Sequence, residues 1–132
     1  PRCLSRVLYK GILAGTSRAA FTGSVVVERH AQRSDSNQLN SNLLLSDQAR
    51  VNTKPQLRIF ADDVKCTHGA TIGPPPEEAI YYFRTRGIGE QTARRMLTYG
   101  FAEGIVKRIA SAPLRTRMDA YVYRHYLSGV LR

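Results

Sequence analysis

The residues whose side chains are most able to bind a metal or to react lie in one short segment, Asp62 to Thr71. This segment reads Asp-Asp-Val-Lys-Cys-Thr-His-Gly-Ala-Thr. Cys66 and His68 are two residues apart, so in a β-strand their side chains point to the same face. A thiolate and an imidazole together suit iron, zinc or copper(I). Two ligands do not close a metal site, so a metal held here is expected to be shared with another chain or bound transiently. The alternative is a buried cysteine and a hydrogen-bonded histidine without a metal.

Recognised catalytic patterns are missing from the sequence. It contains no Ser/His/Asp order, no Walker loop and no His-Glu-x-x-His motif. Cys3 and Cys66 are its only cysteines, too few for a disulfide framework or a four-ligand structural zinc site. They favour a reducing, intracellular compartment. We therefore expect a chain that works within an assembly and is not a free-standing enzyme.

A second candidate site is the turn Gly87-Ile88-Gly89, which lies between two predicted helices. In a helix-hairpin-helix module such a turn exposes backbone N–H groups that bind a DNA phosphate. The simpler alternative is a tight helix connection in which Gly87 adopts the left-handed cap conformation. Tyrosines interleaved with arginines nearby could stack on bases, but this pairing is also usual in protein interfaces.

The charge of the chain permits an acidic partner without indicating one. The net charge is +10, from 20 basic and 10 acidic side chains. Residues 1–73 and residues 74–132 each carry ten basic and five acidic side chains, so no basic tail or patch stands out. A diffuse excess is more typical of a solvated surface, and we regard nucleic acid as the less favoured partner. No apolar run is long enough to cross a bilayer, so no membrane association is predicted.

The first part of the chain, residues 1–73, has the pattern of short stacked strands. Apolar triplets at Val25–Val27, Leu43–Leu45 and Val64–Cys66 recur about every twenty residues, which is typical of a parallel β-solenoid. The polar stretches between them, 33–37 and 40–42, favour turns and side-chain ladders over helix. An antiparallel sandwich is the alternative, but no Asn-Gly or Asp-Gly hairpin turn separates the runs.

Residues 74–132 are predicted to form a helical tail. Pro74-Pro75-Pro76 cannot join a central strand, and the following Glu77-Glu78 suits the positive end of a helix. The spacing predicts a short helix over Ala79–Arg86, a second from Glu90 that continues toward Ile109, and a third opened by Pro113. The fold class is thus mainly β with an α tail.

Three stretches of the sequence resemble a known family: 42–57, which begins Asn-Leu-Leu-Leu-Ser-Asp; 61–73, which contains Cys66 and His68; and 80–88, Ile-Tyr-Tyr-Phe-Arg-Thr-Arg-Gly-Ile. They closely resemble the C-terminal part of the SufB/SufD family of iron–sulfur cluster assembly proteins, over residues 7 to 105. The resemblance is closest to the SufD branch. Where SufB has a cysteine before a Ser-Leu-Leu strand this chain has Asn40, and where SufB has a glutamate after the interface histidine it has Gly69.

The resemblance implies a right-handed parallel β-helix followed by a small helical domain. It implies a SufBCD scaffold complex in which the β-helix, 1–73, pairs with a SufB-like paralogue and the helical domain, 74–132, docks the SufC ATPase. His68 matches the interface histidine and is the candidate metal ligand, shared with the partner chain, and Cys66 matches a SufD cysteine and is the second candidate for contact with the cluster. We predict that docking uses six side chains: Tyr81, Tyr82, Arg84, Arg86, Arg94 and Arg95.

Further expectations follow from the same resemblance. The chain should hold no cofactor stably by itself, and an iron–sulfur cluster should be present only transiently, in the full complex. Pro1 in place of an initiating methionine suggests a C-terminal fragment whose N-terminal rungs are missing. Its first strand could then be an exposed edge that pairs with a second copy. The expected compartment is the cytoplasm, or the plastid stroma in a photosynthetic eukaryote.

Overall fold

A computed structural model describes residues 2–128, and the chain divides into two compact units, Pro1–Gly73 and Pro74–Arg132. The first unit contains five strands: β1 (Leu4–Leu13), β2 (Arg18–Val27), β3 (Asp35–Leu44), β4 (Arg50–Ile59) and β5 (Lys65–Gly73). The second contains three helices: α1 (Glu77–Thr85), α2 (Glu90–Val106) and α3 (Ala112–Tyr126). The predicted class, mainly β with a helical tail, is confirmed.

Every strand pairing in the first unit is parallel. β1, β3 and β5 form a three-stranded sheet in that order, and β2 pairs with β4 in a second sheet. The chain therefore alternates between two open sheets with each successive strand. Ring packing joins the sheets, because Tyr9 of β1 contacts Phe21 of β2 with ring centroids 4.9 Å apart.

The predicted repeat of twenty residues is wrong. Leu4 pairs with Asp35, Arg18 with Arg50 and Asp35 with Lys65, so neighbouring strands are 31, 32 and 30 residues apart. The reason is that each repeat contains two strands, one in each sheet. The apolar triplets fall in both sheets at different positions along the strands, so their spacing does not measure the repeat.

The turns predicted at 33–37 and 40–42 are largely replaced by strand β3. Asp35–Leu44 is extended throughout and pairs with β1 on one side and β5 on the other. Two ladders of backbone hydrogen bonds outweigh the local turn preference of Ser and Asn. The predicted side-chain ladder does form on one face, where Asn37 Nδ2 donates to Thr67 Oγ1 at 2.7 Å.

The helical unit is close to the sequence prediction. α1 begins at Glu77, directly after the prolines and two residues before the predicted start, and α2 ends at Val106 instead of continuing to Ile109. α1 contributes Ile80 to the buried core, α2 contributes Ala93 and Val106, and α3 contributes Val122. Gly87 has a φ of 81°, the left-handed conformation expected of a tight helix connection.

A hydrogen bond between α2 and α3 provides a prediction about alkaline pH. Tyr99 Oη donates to Asp119 Oδ1 at 2.8 Å, and this bond, with burial, raises the pKa of Tyr99 to about 12. The phenol is neutral when it stabilises the fold, so its contribution is complete below the ordinary tyrosine pKa of about 10. That contribution is lost as the pH rises through about 12.

We therefore expect Tyr99→Phe to lower the melting temperature below pH 10, and we expect this difference from the parent chain to shrink as pH approaches 12. Melting curves between pH 8 and 12 measure it. Tyrosinate absorbance at 295 nm gives a second readout, in which Tyr99→Phe should remove a component near pH 12. A melting difference that stays constant across this range would contradict the prediction.

Candidate functional site

The candidate ligands Cys66 and His68 both lie on β5, the last strand of the three-stranded sheet. Their spacing of two residues puts them on one face, about 6.6 Å apart along the strand. In the register, Cys66 lies beside Ser36 and His68 beside Gln38 of β3. The Cys66 sulfur and the His68 imidazole therefore lie on the face of the sheet that also carries the side chains of Ser36 and Gln38.

Solvent reaches both groups. His68 is exposed and Cys66 is a half-buried free thiol. Asp62 and Asp63 precede β5 in a bend, and Asp63 pairs with Arg33 at 3.5 Å. Within residues 2–128, no three His, Cys, Asp or Glu side chains come together as a metal site. Two donors on one strand face are too few to close a metal site.

The edge of β5 is open in the part of the chain that the structure describes. β3 pairs with one side of β5, and no described strand pairs with the other. An open edge offers a row of backbone N–H and C=O groups to a strand of another chain. His68 and Cys66 are therefore carried by an edge strand of the sheet.

A second surface lies on α1, where four of the six predicted docking residues are exposed. Tyr81 and Tyr82 retain 68% and 57% of their accessible surface, although large aromatic side chains are usually buried. The guanidinium of Arg86 lies 5.2 Å from the centre of the Tyr82 ring, a cation–π contact. Arg84 lines an open depression of about 440 Å³ together with Glu77, Glu78, Ile80, Tyr81 and Glu90. We call these four residues, Tyr81, Tyr82, Arg84 and Arg86, the α1 patch.

The other two predicted docking residues make internal contacts. Arg94 forms salt bridges with Glu90 at 3.0 Å and with Glu77 at 3.5 Å. Arg95 donates hydrogen bonds to the backbone carbonyls of Tyr126 and Ser128. Both arginines connect elements of the helical unit and are half-buried, so the α1 patch is the exposed part of the predicted docking set.

Sequence reasoning missed a polar row inside the strand unit. Ser36, Gln38, Asn40 and Asn42 are all buried on β3, with Asn40 fully excluded from solvent. Their alternation of two residues is the signal that could have revealed a strand with a polar inner face. It was overlooked because buried positions are normally apolar.

Comparison with known proteins identifies relatives across nearly the whole chain. Residues 1–101 match the family model described as SUF system FeS cluster assembly, SufBD core domain. The iron–sulfur cluster assembly protein SufD of Escherichia coli is 43% identical over 96% of the chain. The Arabidopsis thaliana protein ABCI7, chloroplastic, is 42% identical over 99%, and a SufBD family protein of Synechocystis is 42% identical over 89%.

The match covers only part of each relative. The chain spans 30% of the length of the Escherichia coli protein, 27% of the Arabidopsis protein and 26% of the Synechocystis protein. Within residues 2–128, no helix has both the length and the apolar character needed to cross a membrane.

Proposed function

Because the chain belongs to the SufBD core family of the SUF iron–sulfur cluster assembly system, we propose that it is the SufD-like subunit of a SufBCD scaffold. In this role it pairs with a SufB-like paralogue through the strand unit and docks a SufC-like ATPase through the helical unit. The observation that carries the proposal is the exposed His68 on β5, whose outer edge pairs with no strand among the described residues.

The strand unit is proposed to be the last part of a right-handed parallel β-helix. The chain alternates between two parallel sheets and repeats every 30 to 32 residues, which supports this architecture. In a stack of this kind each repeat covers its neighbour, and the terminal strand remains uncovered. β5 is the last strand of this unit and an edge of its sheet, so the partner subunit is expected to extend the stack at this strand.

His68 is proposed to contribute one ligand to a cluster that is being assembled, with the remaining ligands supplied by the paralogue. Its imidazole is a soft enough ligand for iron, and its exposure leaves it free to meet a second chain. Cys66 lies on the same face and is the nearest thiol in the strand. The cluster is cargo of the complex, and this chain alone provides too few ligands to retain it.

The chain is proposed to act without catalytic chemistry of its own. Its contribution is to position a ligand and to transmit the motion of an ATPase to the assembly site. Family membership also supports a location in the cytoplasm or, in a photosynthetic eukaryote, the plastid stroma. Nucleic-acid binding by the Gly87–Gly89 turn remains the alternative function; Gly87 has the αL conformation that a tight helix connection also requires.

Docking to the ATPase subunit tests the proposed role of the helical unit. We expect the chain and a SufC-like ATPase to co-elute on size exclusion. The double substitution Tyr81→Ala and Tyr82→Ala should weaken binding at least about thirtyfold, because truncating even one hot-spot side chain costs about 2 kcal/mol or more, and about 1.4 kcal/mol is a factor of ten. Titration calorimetry measures the change.

A matched control is Tyr121→Ala, since Tyr121 is 59% exposed on α3 and lies outside the α1 patch. Its affinity should remain within a factor of two of the parent chain. Independent elution of the two proteins at tens of micromolar, or equal losses for the α1 and α3 substitutions, would contradict the docking proposal.

A further inference from the structure

Four buried side-chain atoms inside the strand unit make no hydrogen bond with any described residue. They are Ser36 Oγ, Gln38 Oε1 and Asn40 Nδ2 on β3, and Thr53 Oγ1 on the facing strand β4. Gln38 is 3% exposed and Asn40 is not exposed at all. A buried polar atom without a partner costs about 1–3 kcal/mol, and native proteins rarely contain several together.

The three β3 atoms belong to one interior, and Thr53 lies on the half-buried face of β4, a strand that contacts β3. Ser36, Gln38 and Asn40 alternate along β3, so their side chains share one face of the three-stranded sheet. Gln38 reaches across to the other sheet, since its Nε2 lies only 2.2 Å from the position that a Cβ on Gly23 of β2 would take. The polar row therefore lies in the space between the two sheets.

We propose that this space binds a file of ordered water molecules, which runs along β3 from Ser36 to Asn40 and includes Thr53. The chemistry of the row favours water over an ion. Gln38 Oε1 can only accept a hydrogen bond and Asn40 Nδ2 can only donate, while the two hydroxyls can do either. An anion would be repelled at the first atom and a cation at the second, whereas water satisfies both.

The start of the row has room for water, and Ser36 is the member of the row that lines this space. A cavity of about 240 Å³ lies at the start of β3, and its lining includes Ser36, Ser5, Val25 and Val27. Because one water occupies about 30 Å³, the cavity admits several. Successive inward residues on β3 are about 6.6 Å apart along the strand, and one bridging water spans about 5.5 Å, so the ends of neighbouring side chains must lean toward each other to share a water.

The file would reach the inner side of the candidate ligands. In the register, Ser36 is beside Cys66 and Gln38 is beside His68, on the same face. Water would thus approach these two residues from inside the protein as well as from solvent. This consequence for Cys66 and His68 rests on the proposed function. The hydration of the interior does not depend on that function, because it is measured on the chain without any cluster.

Thr53→Val tests the proposal, because it replaces the hydroxyl by a methyl group of the same shape. If the interior is hydrated, the water loses a partner, and the folding equilibrium constant should fall at least fivefold. If the interior is dry, the substitution removes an unpaired hydroxyl, and stability should be equal or higher. Thr22→Val is the matched control, since Thr22 is exposed on the neighbouring strand β2.

Denaturant unfolding of the three proteins decides between these outcomes. Stability of Thr53→Val equal to or above that of Thr22→Val overturns the proposal. A crystal structure of the unsubstituted chain at about 1.5 Å is an independent test that needs no variant. Ordered water within hydrogen-bond distance of Gln38 Oε1 and Asn40 Nδ2 is expected, and direct pairing of these side chains with protein atoms alone would overturn it.

Discussion

His68→Ala in the assembled complex is expected to lower the rate and yield of iron–sulfur cluster formation about tenfold or more. Substituting even a group that only orients a metal ligand lowers metal affinity or activity by about 10- to 100-fold, and His68 is proposed to be a ligand itself. The side chain is exposed on β5, so its removal leaves no cavity in the core. Anaerobic reconstitution with iron and sulfide, followed by charge-transfer absorption, measures the effect.

Two controls separate a ligand role from a structural one. Thr71→Ala, also exposed on β5, should leave cluster formation unchanged, and both variants should retain the parent melting temperature and ATPase docking. The isolated chain supplied with iron and sulfide should show no stoichiometric cluster absorption. Normal cluster formation by the complex with His68→Ala, or a stoichiometric cluster on the isolated chain, would refute the assignment.

Gly23→Ala is expected to destabilise the strand unit by about 1–3 kcal/mol, the usual cost of overpacking a core. A Cβ at this position would lie 2.2 Å from Gln38 Nε2 and 2.8 Å from a ring carbon of Phe21. Gln38 is 3% exposed, so its amide can move away from a new methyl group only by displacing its buried surroundings. Chemical denaturation of the chain gives the free energy of unfolding directly.

Gly69→Ala provides the matched comparison, because Gly69 is also in a strand but a Cβ there would meet only Leu39 at an ordinary 3.5 Å. We expect this substitution to leave stability unchanged or slightly higher, since alanine restricts the unfolded chain. Shortening the opposing side chain in the double variant Gly23→Ala, Gln38→Ala should return part of the lost stability. Equal effects of the two single alanine substitutions would argue against a close approach at Gly23.

Local sequence signals determined the elements whose causes are local. Three prolines followed by two glutamates predicted the start of a helix, and α1 begins at Glu77. Gly87 predicted a tight connection and adopts the left-handed conformation. The spacing of Cys66 and His68 was enough to place them on one face, because alternation is a property of any strand. The resemblance to a known family, which depends on many residues between positions 7 and 105, could also be found without a structure.

Tertiary structure alone decided the repeat and the interior. The Ser and Asn residues of β3 predict turns. The segment is extended instead, because β1 and β5 form hydrogen bonds with it from residues about thirty positions away. The same long-range register showed that the repeat is 30 to 32 residues with two strands, where apolar clusters had indicated twenty. Which side chains face each other across the sheets, such as Gln38 against Gly23, depends on how the sheets pack. A pattern read along one strand carries no information about the opposite sheet, since the contact is made only when distant segments meet.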